Sequence, residues 1–137
     1  MTEKISKENS GEGNAGRVLY VDGDIDVAGV IMELLRGVCC AEVDFAASMG
    51  DAKKALRLKL YTLIVTAYYL KGSTGLDFLK QLKSEGNEVP VVMFSIQDGD
   101  TASEALRLGA LKFIEAYGNS EQIFANLIET IKQVCRK

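Results

Sequence analysis

The sequence predicts an α/β fold in which five β-strands alternate with five α-helices. From Arg17 onward, short apolar runs alternate with segments whose apolar residues recur at helical spacing. The runs at residues 18–21 and 91–94 are apolar throughout, which is typical of parallel strands covered by helices on both faces. We therefore predict a doubly wound parallel sheet between two layers of helices, a three-layer αβα arrangement.

The individual elements follow in order along the chain. The predicted strands are residues 18–21, 42–46, 62–66, 91–94 and 112–115. Each predicted helix has one face that is wholly or mostly apolar: Val27, Val30, Ile31 and Leu34; Ala52, Ala55, Leu56 and Lys59, where the apolar part is narrow; Leu76, Leu79 and Leu82; Ala102, Ala105 and Leu106; Ile123, Leu127, Ile128, Ile131 and Val134. Gly109 is expected to end the fourth helix, and Asn119 or Ser120 to cap the fifth.

Five such units suit the flavodoxin-like strand order 2-1-3-4-5 best. In this architecture ligands bind beyond the carboxyl ends of the strands, at the switch point between the first and third. The residues that follow those two strands are Asp22 and Ala67. The length of 137 residues suits one domain, which we place at residues 17–137. Residues 1–16 are rich in Lys, Glu, Ser, Asn and Gly, so we expect a disordered tail.

Composition excludes several classes of function. A net charge of −3 without clustered Lys or Arg argues against a nucleic-acid surface. No apolar run approaches the roughly 20 residues that a membrane helix needs, and no signal peptide is evident. The three cysteines, Cys39, Cys40 and Cys135, lack metal-ligand spacing and predict reduced thiols in a cytoplasmic protein. The absence of histidine excludes histidine phosphotransfer and Ser-His or Cys-His catalysis.

Three carboxylates, Asp22, Asp24 and Asp26, follow the first predicted strand. Clustered carboxylates at a strand end suggest a hard cation such as Mg²⁺. Asp24 also stands where an N-cap residue of the next helix belongs, and we favour that role for it over metal ligation.

Several landmarks together resemble the receiver domain of bacterial response regulators. They are the strand ending at Asp22, the loop with Gly72 and Gly75, the strand at residues 89–95 with its terminal hydroxyl Ser95, the helix end at residues 105–110, and Phe113 at the position of an aromatic switch residue. The resemblance covers the chain from Arg17 onward. In that family a carboxylate accepts a phosphoryl group, Mg²⁺ neutralises charge, and a lysine and a hydroxyl bind the phosphoryl oxygens.

The departures from the family pattern fall on that chemistry. Ala67 replaces the acceptor aspartate, Gly23 replaces one acidic ligand, and the family's lysine maps onto Ala116-Tyr117. Only Asp22 and Ser95 remain. The resemblance therefore implies a degenerate pseudo-receiver that is not an enzyme, holds no cofactor and binds Mg²⁺ weakly or not at all, with Asp22 as a residual ligand at most.

Such a domain would act in two-component or phosphorelay signalling by protein–protein interaction without aspartate phosphorylation. The implied partners are a sensor kinase or a downstream regulator, a homodimer is compatible with this function, and neither nucleic acid nor membrane is expected to bind. The family's output face, formed by the fourth helix, fifth strand and fifth helix, carries these candidate contact residues: Glu104, Arg107, Lys112, Glu121 and Asn126.

Other interpretations stay open. A displaced acceptor, Asp98 or Asp100, would restore a conventional receiver, and the switch point could instead hold a small ligand. A protein kinase could also modify a nearby hydroxyl, for which the candidates are Thr66, Ser73, Thr74 and Ser95. Three tyrosines on the same predicted rim, Tyr68, Tyr69 and Tyr117, could cover the vacated pocket or pack inward as core.

Overall fold

The computed structural model describes residues 16–39, 42–95, 99–115 and 120–135. The strands are β1 Arg17–Val21, β2 Glu42–Ala46, β3 Leu63–Thr66, β4 Tyr69–Leu70, β5 Ser73–Thr74, β6 Val91–Ser95 and β7 Lys112–Glu115. The helices are α1 Ile25–Cys39, α2 Met49–Leu58, α3 Gly75–Ser84, α4 Gly99–Arg107 and α5 Ser120–Cys135.

Five strands form one parallel sheet in the order β2-β1-β3-β6-β7. Counting only these five, the order is 2-1-3-4-5, so the predicted flavodoxin-like architecture is confirmed. The two remaining strands, β4 and β5, pair antiparallel as a small hairpin between β3 and α3. This hairpin was not predicted from the sequence.

The sheet divides the core into two layers, because successive residues of a strand face opposite sides. On β1, Val18 and Tyr20 face one layer, whereas Leu19 and Val21 face the other. The first layer is filled by α1 and α5, and the second by α2, α3 and α4. The switch point lies where β1 and β3 end, at the carboxyl ends of two inner strands of this well-packed sheet.

The buried face of α1 differs from the predicted one. The side chains that enter the core are Ala28, Ile31 and Leu35, which we call the inner stripe. Val27, Val30 and Leu34, predicted to be core together with Ile31, are exposed and form what we call the outer stripe. Both stripes have the spacing i, i+3, i+7. The orientation of the helix on the sheet determines which of the two is buried.

The other helices match their predicted faces more closely. Ala52, Ala105 and Leu127 are buried, as expected. Two details are corrected: Lys59 is the C-cap residue that follows α2, and Leu106 of α4 faces solvent. Helix α5 begins at Ser120, while the alternative cap Asn119 lies outside the described residues.

A polar cluster around Asp44 ties β2 to its neighbours. Asp44 Oδ2 accepts hydrogen bonds from Arg17 Nη1 (3.2 Å), Lys59 Nζ (3.3 Å) and the Tyr61 hydroxyl (2.7 Å). These three donors hold the pKa of the Asp44 carboxyl below its ordinary value, although partial burial opposes them. Burial and the neighbouring carboxylate raise the pKa of Tyr61 to about 12.

Within the described segments, no helix is long and apolar enough to span a bilayer. The predicted tail lies outside the described part of the chain, apart from its last residue, Gly16. The same holds for Cys40 and for the side chains of Cys39 and Cys135.

Candidate functional site

Asp22 is the carboxylate that the structure places at the switch point, at the carboxyl end of β1. It is 6% exposed. Its Oδ2 accepts a hydrogen bond from the Tyr20 hydroxyl (2.7 Å), and its Oδ1 accepts one from the Asp24 backbone N–H (2.9 Å). Burial raises the pKa of the Asp22 carboxyl above its ordinary value, and the two hydrogen bonds oppose that rise. Both carboxylate oxygens thus already have protein donors.

Gly23 lies directly beneath the hairpin. Its backbone N–H donates to the Tyr69 carbonyl (3.0 Å). A Cβ at this position would lie 3.0 Å from the Tyr69 oxygen and 3.0 Å from the Leu70 carbonyl carbon. Those distances are tighter than nine in ten real Cβ contacts, so an acidic side chain fits here only if the hairpin backbone shifts by a few tenths of an ångström.

The hairpin is also held to the loop that follows β2. The Lys71 backbone N–H donates to the Ala47 carbonyl (3.1 Å), and Leu70 is buried in the second core layer. Backbone hydrogen bonds therefore join the hairpin to two of the loops that border the switch point.

Ala67 follows β3 at the position that the sequence predicted. Its backbone N–H donates to the Val21 carbonyl (2.8 Å), which continues the pairing of β3 with β1. Its carbonyl accepts the Thr66 hydroxyl (3.0 Å) and packs closely against Gly75, where an added Cβ would overlap that oxygen. The Ala67 side chain is a methyl group, so this position offers neither a nucleophile nor a metal ligand.

Asp24 has the capping role that the sequence favoured. Its Oδ1 accepts hydrogen bonds from the backbone N–H groups of Asp26 (3.1 Å) and Val27 (3.2 Å) at the start of α1. This is the geometry of an N-cap side chain. Among the described residues, no three His, Cys, Asp or Glu side chains converge as a metal-binding group would.

Of the four hydroxyl side chains considered as targets of a protein kinase, three lie in described parts of the fold. Thr66 is fully buried. Thr74 caps α3 in a reciprocal capping box with Asp77, whose backbone N–H donates to Thr74 Oγ1 (3.1 Å). Ser73 Oγ is buried and has no hydrogen-bond partner among the residues that the structure describes. The Ser95 side chain lies outside the described part of the structure.

Two of the three rim tyrosines are described, and they divide between the two interpretations. Tyr68 is half-buried and packs against the second core layer, whereas Tyr69 is 63% exposed. Their rings meet edge to face, with centroids 4.8 Å apart. Ala116 and Tyr117, which the resemblance places at the family's lysine and the residue after it, lie outside the described residues, as does Asp98. Asp100 lies in the first turn of α4.

The predicted interaction face contains a cleft of about 370 Å³ between α4, β7 and α5. Lys112, Phe113 and Asn126 line it, together with Gln122 and Ile123. Phe113 is half-buried against the second core layer.

The remaining candidates lie around this cleft and do not line it. Glu104, expected to be exposed, is half-buried and forms an ion pair with Arg107 on the same helix. Glu121 is exposed on α5.

Sequence reasoning missed two residues that shape the switch point. Tyr20 lies within the first predicted strand, and its hydroxyl reaches Asp22 because residues two apart on a strand share a face. Leu70 lies in the segment after the third predicted strand, for which the sequence predicts no strand, yet its side chain is buried and anchors the hairpin. The spacing of Tyr20 and Asp22 was the available signal for the first.

Comparison with known proteins gives one consistent answer. The family model described as the response regulator receiver domain matches residues 18–128. Over 98 residues, which is 71% of this chain and 22% of the relative, the chain is 31% identical to the transcriptional regulatory protein ZraR of Salmonella typhimurium. It is 34% identical to the nitrogen assimilation regulatory protein NtrX of Azorhizobium caulinodans over 77% of this chain and 24% of that protein.

The chain thus spans about a quarter or less of the length of these curated relatives. Among solved structures, the receiver domain of NtrX from Brucella abortus superposes with a TM-score of 0.72 at 28% identity, covering 85% of this chain and 98% of that one. A family model that matches residues 18–128, together with a parallel sheet of flavodoxin-like strand order, leads to one assignment: this chain belongs to the response regulator receiver domain family.

Proposed function

We propose that this chain is a pseudo-receiver, a signalling domain of a two-component or phosphorelay-type system that does not accept a phosphoryl group on aspartate. The observation that carries the proposal is Ala67 at the end of β3, where the family has its acceptor carboxylate. A methyl group cannot attack phosphorus, and nucleophilic transfer needs an activated oxygen at that position.

The metal site is proposed to be absent for a related reason. Mg²⁺ requires several oxygen ligands in near-octahedral geometry. Asp22 already accepts two hydrogen bonds, Gly23 has no side chain, and the Tyr69 carbonyl accepts the Gly23 N–H. These residues do not fit a resident divalent ion, so we propose that Mg²⁺ binds weakly or not at all and that no catalytic step passes through it.

The domain would then act through its surface. The cleft between α4, β7 and α5 supports this, because its lining combines charged side chains of both signs, Lys112 and Glu115, with apolar and amide side chains. We propose a sensor kinase or a downstream regulator as the partner class, with a cytoplasmic location. Neither a displaced acceptor nor a small ligand is favoured by a specific contact among the described residues.

The test is phosphoryl uptake. The chain is incubated with acetyl phosphate and Mg²⁺ beside a conventional receiver as positive control, then examined by intact mass and amide NMR. We expect no added phosphoryl mass and no shifted peaks. A stable adduct would refute the proposal. If that adduct were labile to hydroxylamine and lost in Asp98→Asn or Asp100→Asn, a displaced acceptor would replace it.

A further inference from the structure

Two leucines protrude from the surface where α2 ends. Leu58, the last residue of the helix, is 81% exposed, and Leu60, two residues later, is 93% exposed. Neither side chain belongs to either core layer. The fold therefore leaves both apolar side chains in water, and we call this pair the leucine tip.

The leucine tip stands on a fixed backbone. Lys59, between the two leucines, donates its backbone N–H to the Ala55 carbonyl (3.0 Å) and its Nζ to Asp44 Oδ2 (3.3 Å). The Tyr61 hydroxyl, on the other flank, donates to the same carboxylate oxygen (2.7 Å). Because both flanks are anchored, a partner that covers the leucines does not have to order this segment first.

The segment that ends in the leucine tip is basic. Residues 52–60 contain four basic side chains and no acidic one, whereas the whole chain has a net charge of −3. Two of the four have carboxylate partners: Lys53 pairs with Glu85 (Nζ–Oε2 2.6 Å), and Lys59 pairs with Asp44 (Nζ–Oδ2 3.3 Å). The charge of these two lysines is therefore compensated within the domain.

The other two cations face solvent. Lys54 and Arg57 are exposed, and neither forms an ion pair with any side chain in the described part of the chain. Arg57 lies three residues after Lys54, and Leu58 lies four residues after it, so all three share one exposed face of α2. Exposed leucines beside uncompensated cations are complementary to a surface on which apolar and acidic side chains lie side by side.

We propose that the leucine tip, together with Lys54 and Arg57, is a docking site for an acidic segment of a partner protein, in which leucine-like side chains stand next to aspartate or glutamate. An anionic membrane fits worse, because surfaces that bind it typically carry roughly four to eight Lys and Arg side chains, and only two are uncompensated here. The inference goes beyond the proposed function. The leucine tip lies at the amino end of the sheet, where the Thr62 N–H donates to the Arg17 carbonyl (2.8 Å), far from the switch point at the carboxyl ends.

The test uses two designed peptides of about 18 residues, long enough to form a helix. Both carry the same leucines, whose neighbours are glutamate in one peptide and lysine in the other. In amide NMR titrations of the full chain, the glutamate peptide should shift peaks concentrated at residues 54–61, and salt should weaken its binding. The lysine peptide should bind at least about tenfold more weakly.

Matched variants locate the site. Leu60→Ser should weaken the glutamate peptide about tenfold, because it removes an apolar anchor, and should keep the wild-type Tm, because that side chain is exposed. Leu111→Ser, which changes a 54% exposed leucine beside Lys112, should leave binding unchanged. Lys54→Glu combined with Arg57→Glu should reverse the preference between the two peptides. If that double variant fails to fold, Lys54→Glu alone, which should narrow the preference, takes its place.

Four results of these titrations would overturn the proposal. The two peptides could bind equally well, the glutamate peptide could fail to bind, the shifts could fall away from the end of α2, or Leu60→Ser could bind as tightly as the wild type.

Two further measurements examine other occupants of the leucine tip. Pelleting of the chain with phosphatidylserine vesicles but not with phosphatidylcholine vesicles, abolished by Leu60→Ser, would assign the tip to a membrane surface and overturn the proposal. In sedimentation velocity, a dimer that Leu60→Ser dissociates would assign it to a second copy of the chain, with the same consequence. Because none of these readouts involves acetyl phosphate, failure here is distinguishable from failure of the proposed function.

Discussion

Gly23→Ala is the substitution that tests the closed switch point most directly. Gly23 has no positive φ, so backbone conformation does not favour glycine over alanine there. Space is the deciding factor, because the added Cβ would lie 3.0 Å from the Tyr69 carbonyl oxygen and 3.1 Å from the Leu70 Cα. Both are backbone atoms of the hairpin, which a simple side-chain rotation cannot move.

Two opposing effects set the magnitude. Alanine restricts the unfolded chain and would stabilise the protein by about 0.4–1 kcal/mol at a compatible site. Overpacking against fixed atoms typically costs about 1–3 kcal/mol. We expect a net loss of about 1–2 kcal/mol in the free energy of unfolding, equivalent to a fall of roughly 4–8 °C in Tm for a domain of this size. Urea unfolding followed by circular dichroism measures it.

Gly29→Ala is the matched control. Its new Cβ meets nothing within 4 Å and lies inside α1, so helix propensity should dominate and stabilise the protein by up to about 1 kcal/mol. The two glycine-to-alanine changes should therefore have opposite signs. A Gly23→Ala protein as stable as the wild type, or more so, would show that the hairpin does not press on Gly23 and that an acidic ligand could be restored there.

Two further predictions concern the hydrogen-bonded carboxylates Asp44 and Asp22. Asp44→Asn should lower the free energy of unfolding by about 1–2 kcal/mol at pH 7, because three donors stabilise the charged form. The pKa of Asp44 is lowered by folding, so this stabilisation is lost as pH falls, and urea curves of variant and wild type should converge below about pH 4. Tyr20→Phe should cost about 1–3 kcal/mol by leaving buried Asp22 without its hydroxyl donor. Because the pKa of Asp22 is already raised, that loss should be larger at pH 7 than at pH 4, and equal losses at both would contradict the pairing.

The sheet was predictable because its strands are short apolar runs with helical segments between them. Continuous runs such as residues 91–94 have few alternatives in an αβα protein, and right-handed crossovers leave few strand orders, of which 2-1-3-4-5 suits five units best. The orientation of α1 was not predictable in the same way. The inner and outer stripes have the same spacing, and the outer one has the larger side chain at its first position, Val27 against Ala28. Alanine at position 28 lets the helix approach the sheet closely, and a hydrophobicity pattern gives that small residue little weight.

The switch point was predictable in position but not in shape. Asp22 and Ala67 were expected to be neighbours because β1 and β3 end at the same edge of the sheet, and their register agrees. The crowding above Gly23 depends on how the segment after β3 folds back. Strands of two residues, such as Tyr69–Leu70, are too short to leave a periodic pattern. The sequence therefore predicts an ordinary loop where the structure has the hairpin.

The hairpin has a consequence for how such a domain could carry information. The loops of the switch point are fastened to one another by main-chain hydrogen bonds, from Gly23 to Tyr69 and from Lys71 to Ala47, and these form without any chemical trigger. Under the proposed function, the activity of individual molecules would not be set by phosphorylation of an aspartate. The amount of the protein, through synthesis and degradation, would then be one way for a cell to set its output.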